Sequence, residues 1–360
     1  MESTVAPALG ANRPDLRDLT LEEIEEVVAS AGERRFRARQ IAGWLYGRGV
    51  LSFDRMSDVP AALREHLKAQ FTIGRVHETI ISRSADGTRK LLLTLGDGEQ
   101  IETVLIPADD RITLCLSSQA GCAMGCEFCA TARMGLHRNL GAGEILGQIF
   151  AARAALSEGE QLTNYVFMGM GEPLANYPRL LKTLRIMTEP WGMGISPRRI
   201  TVSTVGLVPM MERLLTDVPV NLAVSLHAGA NEMRDRLAPI NRRYPLEALI
   251  EACANLPLKR RRRITFEYVM LRGINDSPEQ AERLVRMLAP LRAKVNLIFF
   301  NDYPDSAFRA SERAAVERFQ AILAHGNLTA TVRESRGADI AAACGQLYAE
   351  RHEGPRQAAG

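Results

Sequence analysis

The chain has 360 residues, with 45 Lys and Arg against 42 Asp and Glu, and a formal net charge of +3 at pH 7. Its hydrophobic fraction of 46% and charged fraction of 24% are those of an ordinary globular protein. No run approaches the roughly 20 apolar residues of a membrane span, and the N-terminus lacks the basic region and apolar run of a secretory signal. Nucleic-acid binding cannot be inferred from so small a net charge and requires local basic patches.

Residues 1–73 predict a small helical N-terminal domain. Thr20 and Glu23 form a capping-box pattern, and Ile24, Val27 and Val28 then repeat at helical spacing. Further helices are predicted near Arg37 and from about Pro60. Five arginines cluster here, and they form either a solvated helix face or an RNA-binding surface: Arg34, Arg35, Arg37, Arg39 and Arg48.

Residues 74–107 predict a β connector, with an Asp-Gly turn within 84–88 between two alternating runs. From 108 to 348, strands and helices alternate, which predicts an α/β fold with a parallel sheet. The strand candidates are 112–117, 164–168, 199–204, 220–226, 264–270, 295–299 and 328–333. The helix candidates are 142–156, 177–188, 207–215, 246–256, 277–290 and 311–324. These units are too few for eight strands, so we predict a partial (β/α)6 barrel of the TIM type and a flexible tail over 349–360.

Cys122, Cys126 and Cys129 lie in one short loop with the spacing C-x3-C-x2-C. Three thiolates at this spacing can hold an iron–sulfur cube and leave one iron without a protein ligand. A structural zinc site would need a fourth ligand, for which His137 is poorly spaced, and ordinary free thiols are the remaining alternative. The cysteine usage indicates a reducing cytosol.

Several polar residues follow the predicted strands, where the active sites of such barrels lie. Gly171 and Glu172 fall in the segment Met168–Pro173, which is either a tight turn or a site for an ammonium group. Polar residues at further strand ends either cap helices or bind a nucleoside ligand. They lie in Ser203-Thr204, in Ser225-Leu226-His227 and at Asn301. By itself, His227 would be an ordinary structural histidine.

Two further cysteines can be interpreted in two ways. Alternation along 112–117 places Cys115 on the more polar strand face with Thr113 and Ser117. Cys344 lies far away in sequence and is followed by Gly345, which suits a mobile segment. They are either small buried hydrophobic residues or a reactive pair, whereas Cys253 fits the apolar face of a helix.

The cysteine loop resembles that of the radical S-adenosylmethionine (SAM) superfamily. The wider chain, over about 18–348, resembles the bacterial dual-specificity RNA methyltransferases of that superfamily. The residues that carry this resemblance are Glu102–Pro107, Cys115–Gln119, the cysteine loop, Gly169–Pro173, Ser225–His227, Pro239–Tyr244 and Ala343–Leu347. The segment Phe299–Pro304 departs from the family pattern around Asn301.

The resemblance implies methylation of carbon 2 of an adenine in 23S ribosomal RNA and in tRNA, with a 4Fe-4S cluster held by the three cysteines. It implies SAM binding by Gly171, Glu172, Ser203, Ser225, Leu226, His227 and Asn301. It further implies that Cys344 carries the methyl group as S-methylcysteine, that a radical derived from a second SAM activates this group, and that the methylene adds to the base. Cys115 would then resolve the protein–RNA adduct through a transient disulfide with Cys344, and Glu102 would accept the proton. By itself, Glu102 could equally be a strand-surface carboxylate.

The resemblance also implies an electron donor such as flavodoxin, no membrane association, a monomeric state and a cytoplasmic location. Basic runs that could bind RNA phosphates are Arg198-Arg199, Arg242-Arg243 and 259–263. Two alternatives remain open. One is methylation of carbon 8 of an adenine in 23S ribosomal RNA by a related enzyme, and the other is a non-catalytic zinc-containing RNA-binding protein.

Overall fold

The computed structural model describes residues 13–74, 76–259, 262–303 and 306–349, with the side chain of Glu78 excepted. Most of the predicted flexible tail and part of the basic run at 259–263 therefore lie outside the described residues. None of the helices in the described part is long and apolar enough to cross a lipid bilayer.

The N-terminal region consists of three short helices, as predicted. They are α1 (Leu21–Ser30), α2 (Phe36–Ala42) and α3 (Ala61–Gln70). The predicted capping box is confirmed: the Thr20 hydroxyl accepts from the Glu23 N–H, and the Glu23 carboxylate accepts from the Thr20 N–H. Ile24 and Val28 of α1, and the corresponding leucines of α3, are buried because they repeat on one face of each helix.

These helices pack directly against the rest of the chain. The Asp18 carboxylate accepts from the backbone N–H of Gly143 at 2.8 Å. The buried Arg17 guanidinium lies 4.3 Å from the centre of the Phe150 ring. One apolar core runs through both regions, so the packing positions the helices beside the first long helix of the barrel.

The remaining elements follow the predicted alternation closely. In chain order they are β1 (Val76–Arg83), β2 (Arg89–Leu95), β3 (Gln100–Ala108), β4 (Arg111–Cys115), β5 (Gln119–Gly121), α4 (Ala130–Arg133), β6 (Leu136–Asn139), α5 (Ala142–Ala154), β7 (Leu162–Phe167), α6 (Tyr177–Thr188), β8 (Ile200–Thr204), α7 (Val208–Asp217), β9 (Asn221–Ser225), α8 (Asn231–Leu237), α9 (Leu246–Asn255), β10 (Ile264–Met270), α10 (Pro278–Leu288), β11 (Ala293–Phe299), α11 (Arg313–His325) and β12 (Thr329–Arg333).

Within the described residues, ten strands form one sheet in the order β1-β2-β3-β4-β7-β8-β9-β10-β11-β12. The strands from β4 to β12 pair in parallel, and six of them are each followed by a helix that returns to the next strand. This is the predicted partial (β/α)6 barrel, with β12 added at its edge. The strands β1–β3 pair antiparallel and continue the same sheet from β4, so the predicted β connector extends the barrel wall.

The sequence analysis did not predict three small elements. They are the two-stranded sheet β5–β6, which frames the cysteine loop, the one-turn helix α4 directly after that loop, and α8, which lies between β9 and α9. All three lie at the end of the barrel where the parallel strands terminate. The functional site is therefore bordered by structure that a simple strand–helix alternation does not predict.

Candidate functional site

The cysteine loop leaves β5 through a glycine that the geometry requires. Gly121 has φ +73°, and a Cβ atom at this position would lie 1.9 Å from the carbonyl oxygen of Gly135. The backbone N–H of Cys122 donates to that same carbonyl at 2.7 Å. The two-stranded sheet thereby closes around the loop and holds Cys122, Cys126 and Cys129 at the wall of one cavity.

The three thiols line one wall of the cavity. A structural zinc site would need a fourth protein ligand, and the candidate that the sequence offered does not line this cavity. His137 instead bonds through Nδ1 to the Glu99 carboxylate at 2.8 Å. Burial raises the pKa of Cys122 to about 12. Such thiols ionise readily only beside a strong positive charge, and iron provides one.

The main cavity lies at the carboxyl ends of the parallel strands. It brings together nine of the predicted site residues, which belong to five separate parts of the chain. They are Cys122, Cys126, Cys129, Gly171, Glu172, Ser203, Ser225, His227 and Cys344.

Glu172 is buried in the wall of this cavity. Its carboxylate oxygens accept from the backbone N–H groups of Leu174 at 3.0 Å and Val205 at 2.8 Å. Burial raises the pKa of Glu172 to about 7, although these two hydrogen bonds oppose the rise. A cationic ligand beside this carboxylate would restore its ionised form, which fits the predicted ammonium site.

Gly171 allows the backbone beside Glu172 to lie close to β5. Its φ is +97°, and a Cβ atom would lie 2.5 Å from the Cβ of Gln119. Gln119 in turn accepts from the backbone N–H of Glu172 through Oε1 at 2.8 Å. The glycine therefore places the Glu172 backbone against β5, and larger residues would displace it.

His227 and Leu226 occupy the bend that follows β9. His227 has φ +58° and accepts from the Val269 N–H through Nδ1 at 3.1 Å. Burial and the nearby charge of Arg234 lower the pKa of His227 to about 3, so its ring is neutral. The Leu226 side chain is fully buried and lies outside the described lining of the cavity.

A second, smaller cavity adjoins the first at Cys344. Cys115 lines its wall, together with Asn301 and Arg333. Burial raises the pKa of Cys115 to about 12, and the neighbouring Cys344 contributes to the rise. The two cysteines, which are far apart in sequence, therefore face the same small space.

Cys344 is an exposed residue whose open surface faces these two cavities. Desolvation by the surrounding protein raises the pKa of its thiol. Exposure and a raised pKa are compatible because the exposed surface of the residue lies against the cavity walls, where the surrounding protein displaces much of the water around the thiol. A thiol in this position is accessible to ligands in either cavity.

The segment that carries Cys344 is attached to the site on both sides. The Gly345 carbonyl accepts from the backbone N–H of Ala130, directly after the cysteine loop, at 2.7 Å. Further upstream, the Gly337 N–H donates to the Asp86 carboxylate in the β1–β2 turn at 2.9 Å. These contacts hold a thiol from the end of the chain beside the cysteine loop.

Glu102 lies on β3, next to the strand that carries Cys115. Its carboxylate pairs with the Lys90 ammonium at 2.8 Å and accepts from the Tyr348 N–H at 2.9 Å. The carboxylate is buried behind the second cavity and is outside the described lining of either cavity. Its observed contacts stabilise the Cys344 segment, and its predicted role as proton acceptor stays a prediction.

Asn301 is placed differently from the other predicted SAM ligands. It lines the second cavity, and its side-chain amide donates to the carbonyl oxygens of Phe299 and Cys344, each at 3.3 Å. This position makes it a neighbour of the Cys344 backbone. The sequence analysis could not distinguish these positions, because both cavities open at strand ends.

The sequence analysis missed Glu267, which lies on β10 and lines the main cavity. A signal was available, because strict alternation along 264–270 places Thr265, Glu267 and Val269 on one strand face. A charged residue within an otherwise apolar strand is unusual. This face is the one that lines the cavity.

The basic runs divide between opposite ends of the barrel. Arg242 and Arg243 are exposed on the connection after β9. In the same connection, Pro239 lies close enough to the cysteine loop that a Cβ atom on Gly125 would be 3.7 Å from its ring. Arg198 and Arg199 are also exposed but directly precede β8, and Arg262 and Arg263 directly precede β10. Because the strands are parallel, those two runs lie at the end remote from the cavity.

Comparison with protein-family models identifies two regions. Residues 116–288 match the radical SAM superfamily, and residues 14–73 match the N-terminal domain of ribosomal RNA large subunit methyltransferases. The first match spans the cysteine loop and four of the barrel's strand–helix units. The second spans the three N-terminal helices.

Curated relatives match over almost the whole chain. A protein of Anaeromyxobacter dehalogenans is 52% identical over 353 residues, which cover 96% of this chain and 95% of the relative. One of Syntrophus aciditrophicus is 48% identical over 336 residues, which cover 93% and 97%. Both are named dual-specificity RNA methyltransferase RlmN.

A solved structure has the same architecture. The crystal structure of a radical SAM methyltransferase from Sphaerobacter thermophilus superimposes with a TM-score of 0.89 at 47% sequence identity. The match covers 94% of this chain and all of that one. The likeness thus includes the N-terminal helices as well as the barrel.

Proposed function

Because this chain belongs to the dual-specificity RNA methyltransferases of the radical SAM superfamily, we propose that it methylates carbon 2 of adenine in 23S ribosomal RNA and in tRNA. Enzymes of this family use a 4Fe-4S cluster and SAM. Carbon 2 of adenine is electron-poor and cannot take a methyl group by simple nucleophilic displacement. A residue of the protein must therefore carry the carbon and deliver it in activated form.

Two parts of the main cavity would hold the cofactors. Cys122, Cys126 and Cys129 supply the thiolates for the cluster, and Glu172 supplies a buried carboxylate for the SAM ammonium group. Ser203 and Ser225 offer hydroxyl groups on neighbouring strands. When bound, the cluster and SAM together supply the one-electron chemistry that activates the methyl group. The protein's own residues then have to position that group and handle protons.

The single observation that carries the proposal is that both cavities meet at Cys344 and that Cys115 lines the second one. We assign Cys344 as the thiol that accepts a methyl group and presents it to the base. Its position next to the cysteine loop supports this role. Its exposed surface gives a flipped-out adenine room to approach.

Cys115 is proposed as the resolving thiol. Attack of its thiolate on the Cys344 sulfur would form the disulfide and break the bond between that sulfur and the methylene carbon on the RNA. The carbon would keep the bonding electron pair and take up a proton, which leaves a methyl group on the base and frees the RNA. The raised pKa of Cys115 requires that a base take its proton at that stage. Glu102, on the neighbouring strand β3, is proposed as the acceptor of the carbon 2 proton.

Nucleoside analysis of a deletion strain tests this function. We expect 2-methyladenosine to disappear from both 23S ribosomal RNA and tRNA, and to return with a plasmid carrying the wild-type gene. Cys344→Ala should fail to restore it. Cys253→Ala is the matched control, because this thiol is buried on α9 away from both cavities, and it should restore methylation.

Loss of 8-methyladenosine with 2-methyladenosine intact would establish the carbon 8 alternative and contradict the proposal. Loss from only one of the two RNAs would contradict dual specificity. A flavodoxin-type electron donor, a monomeric state and action in the cytoplasm are further parts of the proposal. They agree with methylation of cellular RNA that depends on a reduced cluster.

A further inference from the structure

Glu267 is a buried acidic residue for which the proposed mechanism has no use. It is 4% exposed, lies in the middle of β10 and lines the main cavity. Its Oε1 atom accepts from the Asn296 side-chain amide at 3.0 Å. Its Oε2 atom is buried and has no hydrogen-bond partner among the residues that the structure describes.

A buried polar atom without a partner is costly, so native structures seldom retain one without a reason. Burial also raises the pKa of Glu267 above its usual range. Such an oxygen at the wall of an open cavity is suited to a ligand that donates a hydrogen bond. The ligand would then compensate for the free energy that burial costs the carboxylate.

Residues on the two neighbouring strands, β11 and β12, fix the orientation of the Glu267 carboxylate. Asn296 donates to Glu267 through its amide nitrogen, and its amide oxygen accepts from the Thr331 hydroxyl at 2.6 Å. The three residues lie directly opposite one another on β10, β11 and β12. This chain across three strands fixes the position of Oε1 and leaves Oε2 as the oxygen without a protein partner, on a residue that lines the cavity.

The neighbours of Glu267 in the cavity define what it can bind. Glu267 lies directly opposite Ser225 in the β9–β10 pairing, and both line the cavity together with Ser203 of β8. Neighbouring strands are about 4.8 Å apart, so the carboxylate and the serine hydroxyl lie side by side. Two residues further along the same strand face, Val269 and Ile298 present an apolar wall.

This combination matches a nucleoside. Paired polar groups suit the vicinal hydroxyls of a ribose, and an acidic side chain on a ribose hydroxyl is an established mode of nucleotide recognition. An adjacent apolar wall suits a purine base. An ammonium ligand is less suitable, because Glu172 already offers a carboxylate elsewhere in the cavity.

We infer that Glu267 binds a ribose hydroxyl through Oε2, with Asn296 as its positioning residue. The inference rests on the proposed function, which brings two riboses to this cavity: that of SAM and that of the target adenosine. The position of Glu267 beside Ser203 and Ser225 favours the ribose of SAM. The role is one of binding and orientation and involves no bond-making step.

The test is a double-mutant type of binding cycle between residue and ligand on the cluster-reconstituted protein. Cys344 is first fully methylated with SAM and the excess SAM is removed, and the cluster is kept oxidised, so that neither methyl transfer nor radical cleavage consumes SAM. SAM affinity is measured for the wild type, Glu267→Gln and Asn296→Ala, and then for SAM analogues that lack the 2′- or the 3′-hydroxyl. Glu282→Gln is the matched control, since this glutamate lies exposed on α10 and pairs only with Arg286 in the described contacts. Iron content and thermal unfolding verify that each variant is folded.

We expect Glu267→Gln to weaken SAM binding by about tenfold or more, as for loss of a hydrogen bond to a charged group. Asn296→Ala should weaken it less, and Glu282→Gln should not change it. One of the two deoxy analogues should bind the wild type about as poorly as SAM binds Glu267→Gln. That same analogue should bind Glu267→Gln no more weakly than SAM does, because the same contact is lost only once.

The inference would be overturned if Glu267→Gln and Asn296→Ala both bound SAM as tightly as the wild type. It would also be overturned if the affinity loss caused by Glu267→Gln and the loss caused by removing the ribose hydroxyl multiplied in full when combined. In a second arm, RNA with 2′-deoxyadenosine at the target position is compared with normal RNA. If only this arm responds to Glu267→Gln, the hydroxyl belongs to the RNA and the assignment to SAM is wrong. These affinities do not depend on RNA methylation. Failure of the proposed function would appear separately, as RNA that the wild-type protein leaves unmodified.

Discussion

Asn301 donates its side-chain amide to the backbone carbonyl of Cys344 at 3.3 Å, which links the end of β11 to the segment that carries the proposed methyl carrier. We predict that Asn301→Ala loosens this segment without loss of the cluster. Backbone amides of residues 342–347 should exchange with deuterium faster, and less Cys344 should be found methylated by mass spectrometry. The cost in global stability should be only about 1 kcal/mol.

Asn255→Ala is the matched control for this experiment, because Asn255 is exposed at the end of α9. It should leave both exchange and methylation unchanged. If exchange over 342–347 is the same in Asn301→Ala and the wild type, the amide does not hold the segment. Asn301 would then act on a ligand alone, as the sequence analysis proposed.

The cluster depends on all three cysteines of the loop. We predict that Cys126→Ala lowers the iron content from roughly four atoms per chain to near zero and abolishes methylation, because two thiolates cannot hold the cube. Cys253→Ala provides the comparison, as a buried thiol in the core that should keep its iron and lose about 1 kcal/mol of stability. Full iron content in Cys126→Ala would refute the assignment.

The affinity for SAM should depend on pH through Glu172. Its pKa in the ligand-free folded protein is raised by burial to about 7, from a value of 4.5 without the fold. Folding therefore favours the protonated carboxyl below pH 7, whereas the SAM ammonium group requires the ionised form. Binding should strengthen as the pH rises from about 6 to about 7.5, before the amino group itself loses its proton near pH 8.

Glu172→Gln should bind SAM weakly and with little pH dependence over the same range. Glu189→Gln, an exposed position at the end of α6, should keep the wild-type profile. The comparison requires only anaerobic SAM titrations at several pH values. Identical pH profiles for Glu172→Gln and the wild type would show that another group controls binding.

The positions of the basic runs predict unequal effects on RNA binding. Arg242 and Arg243 lie near the cysteine loop, so their replacement by Ala should weaken RNA binding. It should also reduce the slope of log affinity against log salt concentration by about 1.5, as expected for two lost phosphate contacts. Arg198→Ala with Arg199→Ala is a matched pair at the remote end and should leave the slope unchanged. Equal effects from both pairs would contradict the placement of RNA over the cavity.

The sequence predicted the barrel because each element carries its own local signal. The strand at Ile264–Met270 and the helix at Tyr177–Thr188 were predicted to the residue, since apolar content and turn residues define both. The β5–β6 pair was missed because three- and four-residue strands have no periodicity to detect and depend on a partner some fifteen positions away. Helix α8 is also too short for a clear helical repeat.

The site was predictable as a set of residues but not as two cavities. The sequence placed Asn301 among the SAM ligands because it follows a strand, yet position along a strand does not determine which cavity a side chain faces. Glu267 was missed for a different reason. Its unpaired oxygen depends on contacts with Asn296, which come from another strand and have no signature in the sequence.

The proposed mechanism assigns different roles to the thiols of Cys344 and Cys115, and the variant Cys115→Ala tests this assignment most directly. This variant retains Cys344, so it should accept the methyl group and add to RNA but fail to resolve the adduct. Protein purified from cells should therefore carry covalently attached RNA, seen on a denaturing gel as a shifted band that ribonuclease removes. Cys344→Ala should show no such band. If Cys115→Ala gives no ribonuclease-sensitive band while RNA methylation continues, the two-thiol mechanism is contradicted.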